Sequence, residues 1–179
     1  MRWFWVDRFT EFVCKQHAKA VKNISLGEPH VHDHFDGYGI MPNSLIIEGI
    51  AQTGGLLVSE CHGFERIVVL GKVPRCQFHF AARPGDTLVY RTEIDHIRDE
   101  GAVVHATSHV SDRLQAEVEV FFANLGNGDG IIDGPPPQLF EREDLLSWLM
   151  NVDVFKVGCR QDGSPLAAAD YRYFDGVAD

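Results

Sequence analysis

The sequence predicts an α+β fold in which a long antiparallel sheet curves around one central, buried helix. Two observations carry this expectation. After Pro42, the apolar residues Leu45, Ile46, Ile47, Ile50, Ala51, Leu56, Leu57 and Val58 cover every side of a helical wheel, and a helix apolar all round is a buried one. Beyond Gly63 the period changes to two, and a series of alternating strands follows. Successive hairpins build an antiparallel sheet with one face covered, and the apolar helix is the available cover.

Composition sets the frame. A chain of 179 residues is long enough for a real core, and 45% hydrophobic with 23% charged residues is ordinary for a globular protein. The net charge of −10 argues against nucleic acid as a partner, because phosphate binding needs a basic surface. The acidity is uneven: residues 1–125 hold 12 basic and 16 acidic residues (−4), and residues 126–179 hold 4 and 10 (−6). Cys14, Cys61, Cys76 and Cys159 form no CxxC pair and read as neither a disulfide framework nor a zinc site. The start, MRWFWVDR, has too short an apolar run for a signal peptide. A cytoplasmic location with reduced thiols follows as the default.

Taken in order, residues 2–7 and 17–25 read as strands, and Phe9 to Val13 fits a strand or a turn of helix. Residues 27–39 are loop, punctuated by Gly27, Pro29, Gly37 and Gly39. Asn43 or Ser44 is the candidate N-cap of the helix, which runs to about Cys61 and ends near Gly63. Strands follow over residues 66–73, 75–80, 87–97, 102–111 and 114–123. Leu88, Tyr90, Thr92 and Ile94 share one face, as do Ala116, Val118, Val120 and Phe122. The domain is expected to span residues 1–125. Residues 126–137, GNGDGIIDGPPP, read as a linker opening a C-terminal extension over 126–179. A short amphipathic helix near 141–149 carries Leu145, Leu146, Trp148 and Leu149, and the remainder is either packed on the body or partly disordered.

One residue on the central helix needs a reason. Glu48 is the single acid in the apolar run, and a buried carboxylate is costly unless paired or used. His34, just upstream of a Gly-rich loop, is its natural chemical partner. His30, His32 and His34 alternate, and in a strand three imidazoles would share one face at a metal-like spacing. A buried helix follows instead of further ligand-bearing strands, so His30 and His32 read as solvated loop histidines and no metal site is assigned. Cys61 and Cys76 read as core thiols, and Trp148 with Leu145 and Leu149 as packing.

The stretch HFDGYGIMPNSLIIEGIAQ (34–52) resembles the pattern H-F-P-G-x-P-x-M-P-G-x-L-x-x-E-A-x-A-Q of the FabZ/FabA-type 3-hydroxyacyl-[acyl-carrier-protein] dehydratases. WVDR near the start, AVKNISLGEP before the His and RPGDTLVYRTEI after the helix fall in the same order, so the resemblance spans roughly residues 2–125. It implies the hot-dog fold, a curved six-stranded antiparallel sheet around one helix. It also implies dehydration of a (3R)-3-hydroxyacyl thioester to the trans-2-enoyl thioester without metal or organic cofactor. His34 takes the place of the base and Glu48 that of the acid, supplied by different subunits of a homodimer, alone or as a trimer of dimers. Asn43, Gly37 and Gln52 take the places of the substrate- and oxyanion-binding group, the helix N-terminus offering a backbone N–H to the thioester oxygen. Gln52 lies one turn after Glu48, placed to orient its carboxyl, and Gly54 and Gly55 can clear room for an acyl chain.

The chemistry asks for these parts. A His, ordinarily near neutral in pKa, suits removal of the C2 proton, and burial favours the protonated carboxyl that the departing hydroxide needs. Three positions depart from the pattern: Asp36 and Gly39 replace prolines, and Asn43 replaces a glycine. Asp36 brings a carboxylate toward His34, and Asn43 adds a side chain where left-handed backbone is tolerated by Asn. The thioester is expected on acyl carrier protein or coenzyme A. Arg66, Lys72, Arg75 and Arg83 are the candidate basic docking residues, and no membrane insertion is expected. The other readings are a thioesterase on the same fold, with Glu48 activating water, and a non-catalytic protein that binds acyl chains or partners.

Overall fold

The computed structural model describes residues 4–125 and 140–177. The sheet begins with a hairpin, β1 (Arg8–Val13) and β2 (His17–Asn23). A short helix α1 (Pro29–Asp33) and a loop lead into the central helix α2 (Asn43–Cys61). Four long strands follow, β3 (Ile67–Phe78), β4 (Thr87–Arg98), β5 (Gly101–Val110) and β6 (Arg113–Leu125). The extension contributes α3 (Arg142–Asn151), α4 (Val154–Val157) and a two-residue strand β7 (Gly158–Cys159).

The strand order is β3-β6-β5-β4-β2-β1-β7. Every pairing among β1 to β6 is antiparallel, as expected for the six-stranded sheet, while β7 joins the outer edge of β1 in parallel. The sheet is therefore mixed, with seven strands.

The inward face alternates as the sequence predicts. Leu88, Tyr90, Val104, Ala106, Ala116, Val118, Val120 and Phe122 are all buried. Ala18, Ala20, Ala106 and Ala116 are small residues on the strands and are buried as well. On α2, Ile46, Ile50, Thr53 and Leu57 are 0% exposed.

Several local expectations change. The N-terminal strand is Arg8–Val13, and residues 4–6 lie outside it; the aromatic run there is used for packing, with Trp5 and Val6 buried. Residues 29–33 within the expected loop form α1, with Pro29 at its first turn. The two expected strands over 66–80 are one strand, broken in register between Leu70 and Arg75, where Pro74 cannot donate to the ladder. That strand pairs with β6, not with the neighbouring β4, so the hairpin series starts only at β4. Helix α2 is capped by Pro42, whose carbonyl accepts from Leu45 and Ile46, and Asn43 is already helical. Cys76 lies exposed on β3 rather than in the core.

The extension is built onto the body. The backbone N–H of Phe9 donates to Val152 at 2.7 Å and that of Cys14 to Cys159 at 3.0 Å, covering an edge strand that would otherwise offer free backbone groups. Leu149, Val154 and Phe174 are fully buried and continuous with the main core. Tyr171 donates to Glu60 at 3.0 Å near the end of α2. Phe64 sits just past that helix at φ +64°, a left-handed conformation unusual for an aromatic residue. Its ring is held 5.0 Å from Tyr171 and 5.4 Å from Phe174. The linker reading at 126–137 lies outside the described residues.

Candidate active site

Helix α2 is not sealed all round. Glu48, Gln52, Gly55 and Ser59 recur at i, i+4, i+7 and i+11, and this stripe is only half-buried. It forms the floor of a pocket of about 620 Å³. Glu48 is thus a half-buried acid facing a cavity, because the sheet side of the helix is taken by Ile46, Gly49 and Ile50.

Two hydrogen bonds fix the carboxyl end of the pocket. Gln52 Nε2 donates to Glu48 Oε1 at 3.0 Å, the contact expected at one-turn spacing. The backbone N–H of Trp5 donates to Gln52 Oε1 at 2.8 Å. That second bond defines which end of the Gln52 amide faces Glu48. The sequence offered no sign of it, since the donor is a main-chain group 47 residues away.

His34 lies apart from this centre. It is exposed, its ring edge-on to Phe35 at 4.4 Å, and it does not line the pocket that holds Glu48. Among the described residues no hydrogen bond or ion pair joins His34 to Glu48 or to Asp36. The loop from His34 to Met41 is tied down at its far end. Tyr38 accepts from Arg83 at 3.0 Å under the same guanidinium, 5.2 Å from its ring, and Met41 N–H donates to Ala82 at 2.9 Å. Arg83 therefore holds the loop rather than standing as a free docking cation. Gly37 turns the loop at φ +69°, a conformation open to glycine, with the Tyr38 N–H closing the turn on Phe35.

Asn43 is exposed in the first turn of α2 with ordinary helical backbone, so its place in the motif needs no left-handed conformation. Leu45 and Ile46 donate to Pro42, which leaves the N–H groups of Asn43 and Ser44 ahead of the helical ladder, and no side chain caps this end. These two groups lie at the positive end of a 19-residue helix that follows the loop carrying His34 in the chain.

The histidine triplet does not share a face. In α1 alternate residues turn about 200° apart, so His30 and His32 diverge, and among the described residues no three His, Cys, Asp or Glu side chains cluster as metal ligands. His30 is not a solvated loop residue. Its ring packs edge-on against Trp5 at 4.7 Å, and burial holds its pKa below the ordinary value, with Glu28 working the other way. Glu28 also grips the buried Lys22 at 2.6 Å, which anchors the start of α1.

Gly54 and Gly55 serve a different neighbour from the one expected. A Cβ at Gly54 would stand 3.1 Å from the ring of Phe122, and one at Gly55 3.3 Å. The room they leave is filled by that ring, which also lines the pocket. Gly49 is tighter still, 2.5 Å from the ring of the fully buried Tyr90.

A family model described as a FabA-like domain matches residues 4–118. The chain belongs to the FabA-like family. Among its relatives, the 3-hydroxyacyl-[acyl-carrier-protein] dehydratase FabZ of Campylobacter curvus is 34% identical over 122 residues, covering 64% of this chain and 82% of the relative. The FabZ of Koribacter versatilis is 37% identical over 119 residues, covering 64% and 75%. Solved structures agree on the hot-dog fold at lower identity. The dehydratase heterocomplex ApeI:P from Xenorhabdus doucetiae has a TM-score of 0.58 at 14% identity, covering 69% of this chain and 84% of that one. The smu.793 protein of Streptococcus mutans, bound to acetyl CoA, has a TM-score of 0.56 at 18% identity, covering 70% and 94%. The extension that walls the pocket lies outside the family match.

Proposed function

We infer that this FabA-like protein is a hydro-lyase that dehydrates 3-hydroxyacyl-[acyl-carrier-protein] to the trans-2-enoyl thioester in fatty acid or related lipid biosynthesis. The observation that carries the reading is Glu48, held by Gln52 at the end of an apolar pocket on the central helix. The named activity of the FabZ relatives supports it.

In the reaction, His34 removes the C2 proton and the C2–H electron pair becomes the C2=C3 double bond. The C3–O bond breaks, and Glu48 in its acid form gives a proton to the leaving hydroxide, which departs as water. Charge developing on the thioester oxygen meets the N–H groups of the first turn of α2, at Asn43, with Gly37 shaping the loop above it. His34 and Glu48 do not meet within one chain, so the reading requires a second copy, whose His34 loop closes over this chain's Glu48. Two features favour pairing. Strand β3 lies at the open edge of the sheet, and Phe35, Tyr38 and Leu70 are exposed apolar side chains on the elements concerned. Acyl carrier protein is the proposed carrier, approaching Lys72 and Arg75, which are both exposed. No described helix is long and apolar enough to cross a membrane, and we place the enzyme in the cytoplasm.

The test is turnover of 3-hydroxyacyl and enoyl thioesters by wild type, His34→Ala and Glu48→Gln. Each variant should lose at least about 100-fold in kcat, the scale of a lost general acid or base, and mixing the two should restore activity through hybrid dimers. Full activity of either variant would overturn the assignment. Release of free thiol from acyl thioesters would favour the thioesterase reading, and binding without turnover the non-catalytic one.

A further inference from the structure

The pocket that begins at Glu48 is completed by residues the family match does not include. Its floor runs from Glu48 to Ser59 on α2, 11 residues or roughly 16 Å at about 1.5 Å per residue. One side is formed by Phe64 and the start of β3. The other is a wall from the extension, with Phe140, Trp148 and Tyr173 facing the cavity.

The wall is braced ring on ring. Phe140 stacks on Trp148 at 5.4 Å, and Trp148 packs on Phe4 at 4.8 Å. Phe4 precedes Trp5, whose N–H holds Gln52 and through it Glu48. At the other end Tyr173 packs against Phe174 at 5.3 Å, and Phe174 against Phe64. The wall is thus continuous with the carboxyl end of the site and with the core. The paired Glu48 and Gln52 mark one end, and aromatic and aliphatic side chains make up most of the lining, with Glu65, Arg66 and Arg142 also on it and Arg142 lying over the Tyr173 ring at 5.3 Å.

We propose that the C-terminal extension is a specificity element: Trp148 and Tyr173 form one wall of the binding site for the apolar acyl tail of a long-chain 3-hydroxyacyl thioester, whose reacting carbons lie at Glu48. The proposal rests on the dehydratase reading for the position of the reacting end. A short acyl group stays near Glu48 and does not reach the deep end at Ser59. A long one runs along α2 and exchanges water for the aromatic wall, so its advantage is carried by the extension.

The experiment compares 3-hydroxybutyryl- and 3-hydroxypalmitoyl-coenzyme A on the full chain, in wild type, Tyr173→Ala, Trp148→Ala and Ser59→Phe. Ser59→Phe fills the deep end without touching Glu48 or the extension's core, and so remains informative if Trp148→Ala loosens the fold. Kcat/KM for the long substrate should fall about tenfold or more in Tyr173→Ala and Ser59→Phe, the size of one lost aromatic contact with its buried area, while in these two variants the short substrate changes less than about twofold. Trp148→Ala also releases Phe4 and is the control for a disturbed Glu48 end. Parallel loss on both substrates in Tyr173→Ala and Ser59→Phe, or no loss on the long one, would overturn the proposal. Calorimetric binding of unreactive palmitoyl-coenzyme A to wild type and Ser59→Phe separates it from the dehydratase reading. Binding by wild type that is lost in Ser59→Phe supports the acyl wall even if no thioester is dehydrated. Equal binding by both overturns it even if both substrates are turned over.

Discussion

Gln52 donates its amide to Glu48 at 3.0 Å while accepting the main-chain N–H of Trp5 at 2.8 Å. One side chain therefore joins the N-terminal segment to the acid on the central helix. The arrangement makes Gln52 a positioning residue, since it bonds the Glu48 carboxyl while itself held by the Trp5 main chain.

Two substitutions separate those bonds. Gln52→Glu keeps an acceptor for Trp5 but in its ionised form cannot donate to Glu48, whereas Gln52→Ala loses both. Each should lower kcat by roughly 5- to 150-fold, the range of about 1–3 kcal/mol for an unmade hydrogen bond, with KM little changed. Gln52→Glu should in addition alter the pH dependence of kcat, because a second carboxyl then shares protons with Glu48. A loss confined to thermal stability, with kcat and its pH profile intact, would remove Gln52 from the site.

Gly49 poses a contest between backbone and packing. Alanine gains about 1 kcal/mol of helix propensity over glycine. Its Cβ, however, would stand 2.5 Å from the ring of Tyr90, which is 0% exposed and has nowhere to move. Overpacking of this kind costs about 1–3 kcal/mol, which less the propensity gain leaves Gly49→Ala destabilised by up to about 2 kcal/mol. Chemical denaturation measures this directly. A stabilised variant would show that Tyr90 yields.

Three half-buried histidines lower stability on the acid side. Burial holds His30, His62 and His109 below their ordinary value of 6.5. For each, the unfolded chain binds a proton more readily than the folded one. Stability is then full above about pH 6.5 and declines as pH falls through 6.5 toward the folded values. Urea midpoints should drop between pH 7 and pH 5.5, and His30→Gln should shrink the drop. Equal midpoints at the two pH values would contradict the sign.

The sequence by itself determined the fold class, the extent of α2 and the inward faces of β4 and β6, and it singled out Glu48 as the lone acid of that helix's apolar run. Those are local properties. Periodicity reports which face of an element is buried, and a lone acid in an apolar helix stands out against its neighbours. The tertiary structure decided the rest, because it depends on groups far apart in the chain. The stripe of α2 that stays open is fixed by which strands cover the others, which no helical wheel records. Phe122 occupies the space left by Gly54 and Gly55, and the Trp5 main chain holds Gln52, contacts in which one partner is backbone and so leaves no mark in the sequence. Strand β3 could not be placed beside β6 from its own alternation, since the pattern of one strand is silent about its neighbour. The extension was the least legible part. Its aromatic residues are scattered at Phe140, Trp148, Phe155, Tyr171, Tyr173 and Phe174 with no shared period, and Phe140, Trp148 and Tyr173 become a wall only once the others and Phe4 and Phe64 pack behind them.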